Sequence, residues 1–424
     1  MVAFDARFVV GRLPDSRLRR EAMRPHDLPP TVLRLMAARG ARSIGQGALV
    51  AAFALYLHAL GWSAPEIGAT LSAALLVGAI LTLAFGPLSD RRGYRRFLLV
   101  YEALQAAAAL AALVTAWPPV LVGAAIVGSF GRGANGSAGP FGPLEQAWLA
   151  EVLPPHRRGA VFSANAAIGF GGMALGALLA GGVDLLVRPL GGVLAYRPLF
   201  LLSLAGSVAA FVLVAGLREP SRDPPARIAA GPRGRRSENA MLIRLVVANT
   251  LNGLGIGMIA PLIAYWFALR FQRGPGSIGP ALAASFVLGA IGAVIAGQMV
   301  RRYGLIGPVV IMRGVGLGLL IALPLVPAFP LAAALYALRA GFNQGTAGVR
   351  QALVVGLTHD RRGLAASLQN VSIQIPRAVG PLVAGFMLSA GMLRAPFFVA
   401  AALQASYLVL YARFFRNYAR GGAA

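Results

Sequence analysis

The residues best placed to do chemistry in this 424-residue chain are charged side chains inside otherwise apolar segments. Arginine keeps its proton in proteins, so each arginine in such a segment needs a carboxylate, a carbonyl, water or a bound anion. Glu145 is the one acidic residue well inside an apolar segment, so positive charge is in excess. Two interpretations stay open: a cavity for an anionic or zwitterionic substrate, or arginines held by carbonyls and amides. The arginines are Arg132, Arg313, Arg339, Arg350 and Arg377. We expect Arg313 to be structural.

A glycine-rich stretch at 131–143, GRGANGSAGPFGP, begins with the G-x-G-x-x-G pattern of dinucleotide-binding loops. Such a loop needs a strand before it and a helix after it, whereas this stretch lies inside a long apolar run, which excludes a nucleotide site. A linker is excluded too, because the run would lack its length without these residues. Pro140 and Pro143 instead predict a kinked membrane helix that acts as a hinge, flanked by Arg132 and Glu145.

Glu145 and Arg350 are predicted to occupy equivalent places in an internal repeat. EQA at 145–147 aligns with RQA at 350–352 when one gap is allowed. The repeat would set the two side chains opposite each other near the cytoplasmic side of a cavity. They would form either a gate salt bridge that breaks on opening or a site at which Glu145 takes up a proton, and we favour the gate. Arg132 is a third candidate for coupling or gating.

Side-chain amides within the apolar segments could line a polar cavity, although a single amide more often holds two helices together. They cluster in the seventh, tenth and eleventh segments. The first segment, 42–61, carries no acid, which argues against a cationic substrate. The candidate substrate-binding residues are Gln46, Asn135, Asn165, Asn249, Asn252, Arg339, Asn343, Gln344, Asn370, Gln374 and Arg377.

Metal and cofactor chemistry is not predicted. The sequence has no cysteine and only four histidines, which form no metal-binding pattern. No Ser/His/Asp arrangement stands out. We therefore expect no cofactor, no metal and no enzymatic activity.

The composition is that of a membrane protein rather than a soluble one. Apolar residues make up 57% of the chain and charged residues 12%, against roughly 25% charged in soluble domains. The net charge of +25 comes from arginines clustered between apolar runs, not spread along one face. We therefore expect a lipid bilayer, and not a nucleic acid, as the partner.

Twelve apolar runs are long enough to cross about 30 Å of hydrocarbon, which takes roughly 20 residues each. They predict an all-α membrane protein of twelve transmembrane helices. The runs are 44–61, 66–88, 97–116, 119–152, 160–187, 198–217, 242–269, 278–300, 305–326, 329–357, 364–390 and 396–414.

The arginines between the runs predict the orientation. Twenty-nine lie in the segments of one side and five lie in those of the other. Because positive charge is retained in the cytoplasm, both termini are predicted to be cytoplasmic, in a bacterial-type inner membrane. The first run follows an arginine-rich segment without a cleavage signature, so no cleaved signal peptide is expected.

A Pro- and Arg-rich interruption at 218–238 divides the chain into six runs plus six. The halves resemble each other, because RRG at 157–159 recurs at 361–363 and ALLAG at 177–181 aligns with PLVAG at 381–385. Two pseudo-symmetric six-helix bundles are predicted, an organisation typical of secondary transporters. The predicted segments are a cytoplasmic N-terminal segment (1–43), the first bundle (44–217), a cytoplasmic connector (218–241), the second bundle (242–414) and a cytoplasmic tail (415–424).

The loop between the second and third runs carries the most specific motif. GPLSDRRGYRR at 86–96 resembles the signature loop of the major facilitator superfamily, G-x-L-x-D-R-x-G-R-R, and the resemblance extends over the chain. It implies a conformational latch that holds the outward-facing state by docking near the eleventh helix. The repeat has Arg301 in place of Asp90, so the second half is predicted to lack the latch. The latch residues are Gly86, Asp90, Arg91, Gly93 and Arg95.

Two further motifs of the family are matched less closely. An arginine followed four residues later by glycine in the fourth span matches Arg132 and Gly136. The fifth-span motif of proton-coupled drug exporters, G-x-x-x-G-P-x-x-G-G, falls at 172–181, with Ala177 in place of the proline. That substitution weakens the similarity to exporters.

The resemblance implies a secondary transporter that alternates access between its two bundles. We expect a monomer that moves a small organic solute by proton-coupled efflux. Uptake or exchange of an organic anion is the alternative. A non-transporting receptor or scaffold on the same fold is less favoured, because it would not need Asp90, Arg132 and the buried charges.

Overall fold

The structure, a computed structural model, describes residues 28–131, 141–219, 235–356 and 362–415. Within these ranges the chain folds into helices and forms no β-strand, as predicted. The helices are α1 (Pro30–Ala59), α2 (Ala64–Arg92), α3 (Tyr94–Val114), α4 (Pro118–Gly128), α5 (Phe141–Val152), α6 (Pro155–Gly181), α7 (Val183–Leu190), α8 (Arg197–Ala215), α9 (Arg235–Ile259), α10 (Ile263–Phe271), α11 (Pro275–Tyr303), α12 (Gly307–Ala322), α13 (Phe329–Gly345), α14 (Ala347–Gly356), α15 (Arg362–Ser389) and α16 (Ala395–Phe415).

Each of the twelve predicted runs corresponds to one helix or to two. The fourth run is split into α4 and α5, the fifth into α6 and α7, the seventh into α9 and α10, and the tenth into α13 and α14. Nine helical segments of the described ranges are long and apolar enough to cross a membrane. Three predicted runs are not in that set. The helix of the first run carries arginines, and the fourth and tenth runs are each split into two helices of 17 residues or fewer.

Proline and glycine set many of the helix ends. Pro30, Pro155 and Pro275 begin α1, α6 and α11, where the missing amide donor of proline costs no hydrogen bond. Gly93 follows α2 at φ +93° and Gly304 follows α11 at φ +66°, a backbone region in which other residues are strained. Because both glycines follow the second run of their half, the repeat extends to the backbone conformation.

The first helix begins earlier than its apolar run. α1 starts at Pro30 rather than near Ile44, and it includes Arg39 and Arg42, each only 3% exposed. The helix therefore extends over residues 30–43 of the segment predicted to be a cytoplasmic N-terminal segment. Hydropathy ends a run at a charge, whereas a buried arginine stays in a helix when neighbouring helices supply carboxylates. Similarly, α9 begins at Arg235, within the predicted connector.

The two halves pack their helices in the same way. Gly176 of α6 lies against the backbone of α1 at Ile44, and Gly380 of α15 lies against the backbone of α9 at Gly257. The first and fifth runs therefore cross as the seventh and eleventh do. Positions 176 and 380 are aligned by the same offset that aligns 157–159 with 361–363. This packing agrees with two pseudo-symmetric bundles.

The helices run between two sides of the bundle. We call the side where α2 ends and α6 begins the arginine-rich end, and the other side the opposite end. The two halves meet toward the opposite end, where Gly68 of α2 contacts Pro381 of α15 and Gly279 of α11 contacts Ala177 of α6. α5 and α14, toward the arginine-rich end, pack mainly against helices of their own half. The described contacts between halves are therefore concentrated at one end.

Hydrogen bonds reinforce this contact. The backbone N–H of Leu382 donates to Ser72 Oγ at 2.9 Å. The N–H of Gly276, in the first turn of α11, donates to the carboxylate of Asp184 at 2.8 Å. A carboxylate at a helix N-terminus interacts favourably with the helix dipole, so Asp184 joins the halves electrostatically as well.

Candidate functional site

A buried group of charged side chains joins four helices of the first half. Arg42 of α1 donates from Nη1 to Glu102 Oε1 of α3 at 2.5 Å and from Nη2 to Glu145 Oε2 of α5 at 2.9 Å. Asn165 of α6 donates to Glu145 Oε1 at 2.5 Å. Arg39 Nη1 lies 3.6 Å from Glu145 Oε1. We call these five residues the charge network.

The charge network is buried and has as many arginines as glutamates. Its members are 3% exposed or less, and the guanidinium of Arg42 stacks on the ring of Phe141 at 3.8 Å from the centroid. Two arginines balance two glutamates, which makes the burial of all four tolerable. Glu145 lies seven residues before the end of α5 at Val152, so the network sits about 10 Å inside the arginine-rich end.

The predicted pair of Glu145 and Arg350 is not formed in this structure. The partners of Glu145 are Arg42, Arg39 and Asn165, all in the first half. Arg350 lies on α14, and its Nε and Nη1 have no hydrogen-bond partner in the described part of the chain. A salt bridge between them stays a prediction for another conformation.

Sequence reasoning missed Arg39, Arg42 and Glu102. The arginines lie before the first apolar run, 44–61, and Glu102 lies near the start of the third run, 97–116. One signal was available, because Arg39, Arg42 and Gln46 are spaced three and four residues apart, which places them on one helix face. That face continues into the membrane helix and would have extended α1 to include them.

The predicted arginines of the second half lie close to one another. Arg313 on α12, Arg339 on α13, Arg350 on α14 and Arg377 on α15 form what we call the arginine group. Arg339 and Arg350 both act electrostatically on Arg313, and Arg339 and Arg377 both act on the phenol of Tyr336. The sequence after Glu238 contains a single acidic residue, Asp360, which lies outside the described residues. The described residues of the second half therefore supply no carboxylate to the arginine group.

The members of the arginine group differ in how they are held. Arg313 donates to Asn252 Oδ1 at 2.6 Å, and its guanidinium lies 4.9 Å from the ring centroid of Tyr407. Arg339 is 6% exposed, and its Nε finds no hydrogen-bond partner in the described ranges. These contacts fit the structural role expected of Arg313, although its Nε, like that of Arg339, has no hydrogen-bond partner in the described ranges.

Three of the candidate amides join helices. Asn165 binds Glu145, Asn252 binds Arg313, and Asn249 of α9 donates to Ser372 Oγ of α15 at 3.2 Å. Each side chain is buried. All three therefore make interhelical contacts, while Asn165 Oδ1 and Asn252 Nδ2 have no partner in the described part of the chain.

The other candidate amides have varied surroundings. Gln344 of α13 lies beside Gly289 of α11, which also faces Phe170 of the first half. Asn343 lies against Gly316 of α12. Gln46 is buried on α1, and its Nε2 has no partner within the described segments. On α15 Asn370 is exposed and Gln374 is half-buried.

The predicted latch loop is held by its own half in this structure. Arg95 donates from its backbone N–H to Glu219 Oε1 at 2.8 Å and from Nη2 to the carbonyl of Ala215 at 2.6 Å. Gly93 packs against the same carboxylate. The last turns of α2 contain Gly86, Asp90 and Arg91, but the side chains of Asp90 and Arg91 are outside the described part of the structure.

The predicted hinge is described only at its two ends. α4 ends at Gly128, and Ser129 and Gly131 have φ of +57° and +71°. The helix of the fourth span is therefore interrupted at 129–131, and the next described helix, α5, begins at Phe141. Arg132, Asn135 and Pro140 lie outside the described residues.

Comparison with known proteins identifies the family. The family model described as Major Facilitator Superfamily matches the chain twice, over residues 35–247 and 245–422. The chain belongs to the major facilitator superfamily. The two matches meet at residues 245–247, close to the predicted connector at 218–241 that separates the two copies of the sequence repeat. No curated protein matches the sequence.

Solved structures of other transporters share the fold. A bacterial homologue of the iron transporter ferroportin in an inward-facing state is 15% identical, with a TM-score of 0.70 over 91% of this chain and 98% of that one. A bacterial homologue of the human lysosomal transporter Spinster, inward-facing and unoccupied, is 14% identical, with a TM-score of 0.68 over 92% and 96%. A mutant of the nucleoside transporter NupG is 13% identical, with a TM-score of 0.67 over 91% and 100%. At these identities the likeness concerns the fold, and family and fold together indicate an integral membrane transporter rather than an enzyme.

Proposed function

We propose that the protein is a monomeric secondary transporter that moves a small organic solute across a bacterial-type inner membrane by alternating access, as proton-coupled efflux. The arginine-rich end and both termini face the cytoplasm, because arginine is retained on that side. Residues 218–241 connect the bundles, and the loop at 86–96 acts as a latch in the outward-facing state. The charge network is the observation that carries this proposal.

The charge network has the composition of a proton site. Acidic residues inside a membrane helix are costly and commonly serve proton relays. Glu145 is held by Arg42, Arg39 and Asn165, whereas Glu102 is held by Arg42 alone, and its Oε2 has no partner among the described residues. A proton on Glu102 therefore removes fewer charge-assisted hydrogen bonds than a proton on Glu145. Glu102 takes up the proton, and Glu145 keeps Arg42 in place.

A flux assay on the full chain in proteoliposomes tests the proposed function. The panel contains citrate and succinate as anions, glucose as a neutral solute and tetraphenylphosphonium as a cation, each with and without a pH gradient. We expect the gradient to drive accumulation of at least one solute. Absence of gradient-driven flux for every solute, or a chelator-sensitive hydrolase activity of the purified chain, contradicts the proposal.

Replacing Glu102 with glutamine is expected to abolish gradient-driven flux while solute exchange without a gradient persists. Glutamine preserves the shape of the side chain but cannot take up a proton. Glu145→Gln is expected to impair both modes, because Arg42 loses its anchor. Glu151→Gln, an exposed carboxylate on the same helix as Glu145, is the matched control and should leave both modes intact. Unchanged coupling in Glu102→Gln shows that the proton binds elsewhere.

Removing the carboxylate of Asp184 is expected to favour the state that is open at the opposite end. Asp184→Asn weakens the contact with the N-terminus of α11, which is worth about 0.3–1 kcal/mol, so the ratio of the two states shifts about two- to fivefold. The chain has no cysteine, so Leu185→Cys and Met392→Cys can carry spin labels for distance measurement across the halves.

The control for this measurement is another exposed carboxylate at the same end. Glu66 accepts the N–H of Ser63 at 2.7 Å and caps its own helix, so it makes no comparable contact between halves. Glu66→Gln should leave the distance distribution as it is. Equal shifts in the two variants show that surface charge in general, and not the contact with α11, sets the equilibrium.

A further inference from the structure

We propose that the arginine group of the second half binds the anionic group of the transported solute, a carboxylate or a phosphate. The inference rests on the proposed function only in stating that the bound solute is transported, because binding at the site can be measured without flux. The residues that contact the anion are Arg339 and Arg350, and Arg313 contributes charge from behind them.

The charge balance of the two halves points to this assignment. In the first half, Arg39 and Arg42 are balanced by Glu102 and Glu145 within the charge network. The second half holds the four residues of the arginine group, and Asp360 is the single acidic residue in its whole sequence. Arginine cannot discharge itself by losing a proton, so repulsion within the group persists until an anion enters.

The unused donors point to the same pair. Nε of Arg339 and both Nε and Nη1 of Arg350 are buried without a hydrogen-bond partner in the described ranges, and Nε of Arg313 is too, although Arg313 is already anchored through Nη1. An unmet buried donor on a charged group is expensive, and a bound anion is one way to satisfy it. The planar fork of arginine fits two oxygens of a carboxylate or phosphate at once, so these groups are the expected ligands.

The position of the pair is that of a transport site. Arg339 lies ten residues into α13, about 15 Å from the helix start at Phe329, and therefore near mid-membrane. α13 and α14 are interrupted at Thr346, as α4 and α5 are interrupted in the equivalent span. A pair of interrupted helices at corresponding places in two halves marks the binding site of a repeat transporter.

The site also lies beside the contact between halves. Gln344, five residues after Arg339, reaches Gly289, and the same glycine faces Phe170 of the first half. The helix that carries Arg339 therefore borders the contact between halves, and a solute that extends from Arg339 to Gln344, about 140° around α13, meets both bundles. Contact with both bundles is what allows a bound solute to influence their relative movement.

Arg313 is not available in the same way. Its Nη1 is engaged by Asn252 and its guanidinium faces Tyr407, so it is fixed at the rear of the group. Its charge still acts at Arg339 and Arg350. Removing Arg313 would therefore weaken anion binding through the field rather than through a lost contact.

A binding measurement on the full chain in phosphatidylcholine nanodiscs tests the site. Citrate, inorganic phosphate, glycerol and choline are added at constant ionic strength, and the melting temperature is followed. A ligand that binds only the folded protein raises this temperature, so citrate or phosphate should raise it and glycerol and choline should not. Stabilisation by choline or glycerol, with none by either anion, overturns the assignment.

Arginine variants separate the site from general charge. Arg339→Gln and Arg350→Gln should each weaken binding of the stabilising anion about tenfold or more, the loss of one charge-assisted contact. Arg339→Lys keeps the charge without the planar fork and should give an intermediate loss. Arg394→Gln removes an exposed arginine of the same half at the opposite end and should change nothing. If Arg394→Gln weakens anion binding as much as Arg339→Gln and Arg350→Gln do, the site is overturned. If the Arg339 variants fold poorly, the comparison of Arg350→Gln with Arg394→Gln decides.

Two further arms distinguish the remaining outcomes. Nanodiscs with phosphatidylglycerol supply an anionic lipid headgroup, and if they alone remove the stabilisation by added anions, the occupant is lipid and the solute assignment fails. Anion binding without gradient-driven flux leaves the site standing and removes the proposed function. Gradient-driven flux restricted to the cation tetraphenylphosphonium supports the proposed function and contradicts the anion site.

Discussion

Replacing Arg42 with glutamine is expected to lower the free energy of unfolding by about 3–5 kcal/mol, the usual cost of removing one member of a buried ion pair. Among the described residues, Arg42 is the one that touches both glutamates of the charge network. Without it, Glu102 loses its hydrogen bond to the guanidinium and Glu145 keeps only Arg39 and Asn165. Unfolding in mixed micelles, followed by the fluorescence of the four tryptophans, measures the change.

Two comparisons give this result its meaning. Arg34 lies on the same helix, is exposed and donates to the carbonyl of Gly216 at 2.8 Å, so Arg34→Gln should cost about 1 kcal/mol or less. The double variant Arg42→Gln with Glu102→Gln restores charge balance and should recover part of the loss. If Arg42→Gln is no more harmful than Arg34→Gln, the buried charges do not stabilise the bundle.

The fold could be predicted from the sequence because its main determinants are local. A run of apolar residues, a cluster of arginines and a proline at a helix start act within a few residues of one another. The twelve runs and the division at the connector follow from such signals. The repeat was also readable, and Gly93 and Gly304 both have positive φ at equivalent positions.

The charge network could be predicted only in part, because its stability is a property of the packing. Glu145 was recognisable as an acid inside an apolar run, but its partner had to be chosen from many arginines. The repeat suggested Arg350, whereas the structure brings Arg42 from α1 and Glu102 from α3 to the same point. Hydropathy placed Arg42 outside the membrane helix because it does not consider the carboxylates of other helices.

The interruptions of the helices show the same limit. Glycine and proline at 131–143 predicted an irregular fourth span, and the described ends of α4 and α5 agree. Nothing comparable in the residues around Thr346 predicted the break between α13 and α14. There the hydroxyl of Thr346 donates to the carbonyl of Asn343 at 2.9 Å, which satisfies one freed acceptor at the break.

Replacing Gly176 with alanine is expected to lower the free energy of unfolding by about 3 kcal/mol, the upper end of the usual cost of overpacking. A β-carbon at position 176 would overlap the carbonyl oxygen of Ile44, a backbone atom of α1 that cannot rotate away. The two helices would have to separate along their contact. In a membrane the attraction between helices comes from close packing rather than from the exclusion of water, so the lost contact is not replaced.

Gly171 lies on the same helix and supplies the matched control, because a β-carbon there meets nothing within 4 Å. Gly171→Ala should be neutral or stabilise by up to about 1 kcal/mol, since alanine favours the helix over glycine. Gly380, at the equivalent place in the second half, lies against the backbone of Gly257, so Gly380→Ala should cost about as much as Gly176→Ala. A large cost at one position and none at the other would show that the two crossings share their geometry but not their energetic role. Equal costs would show that the same backbone contact holds the two helices together in both halves. The halves would then differ in their buried charges, which are balanced in the first half and positive in the second.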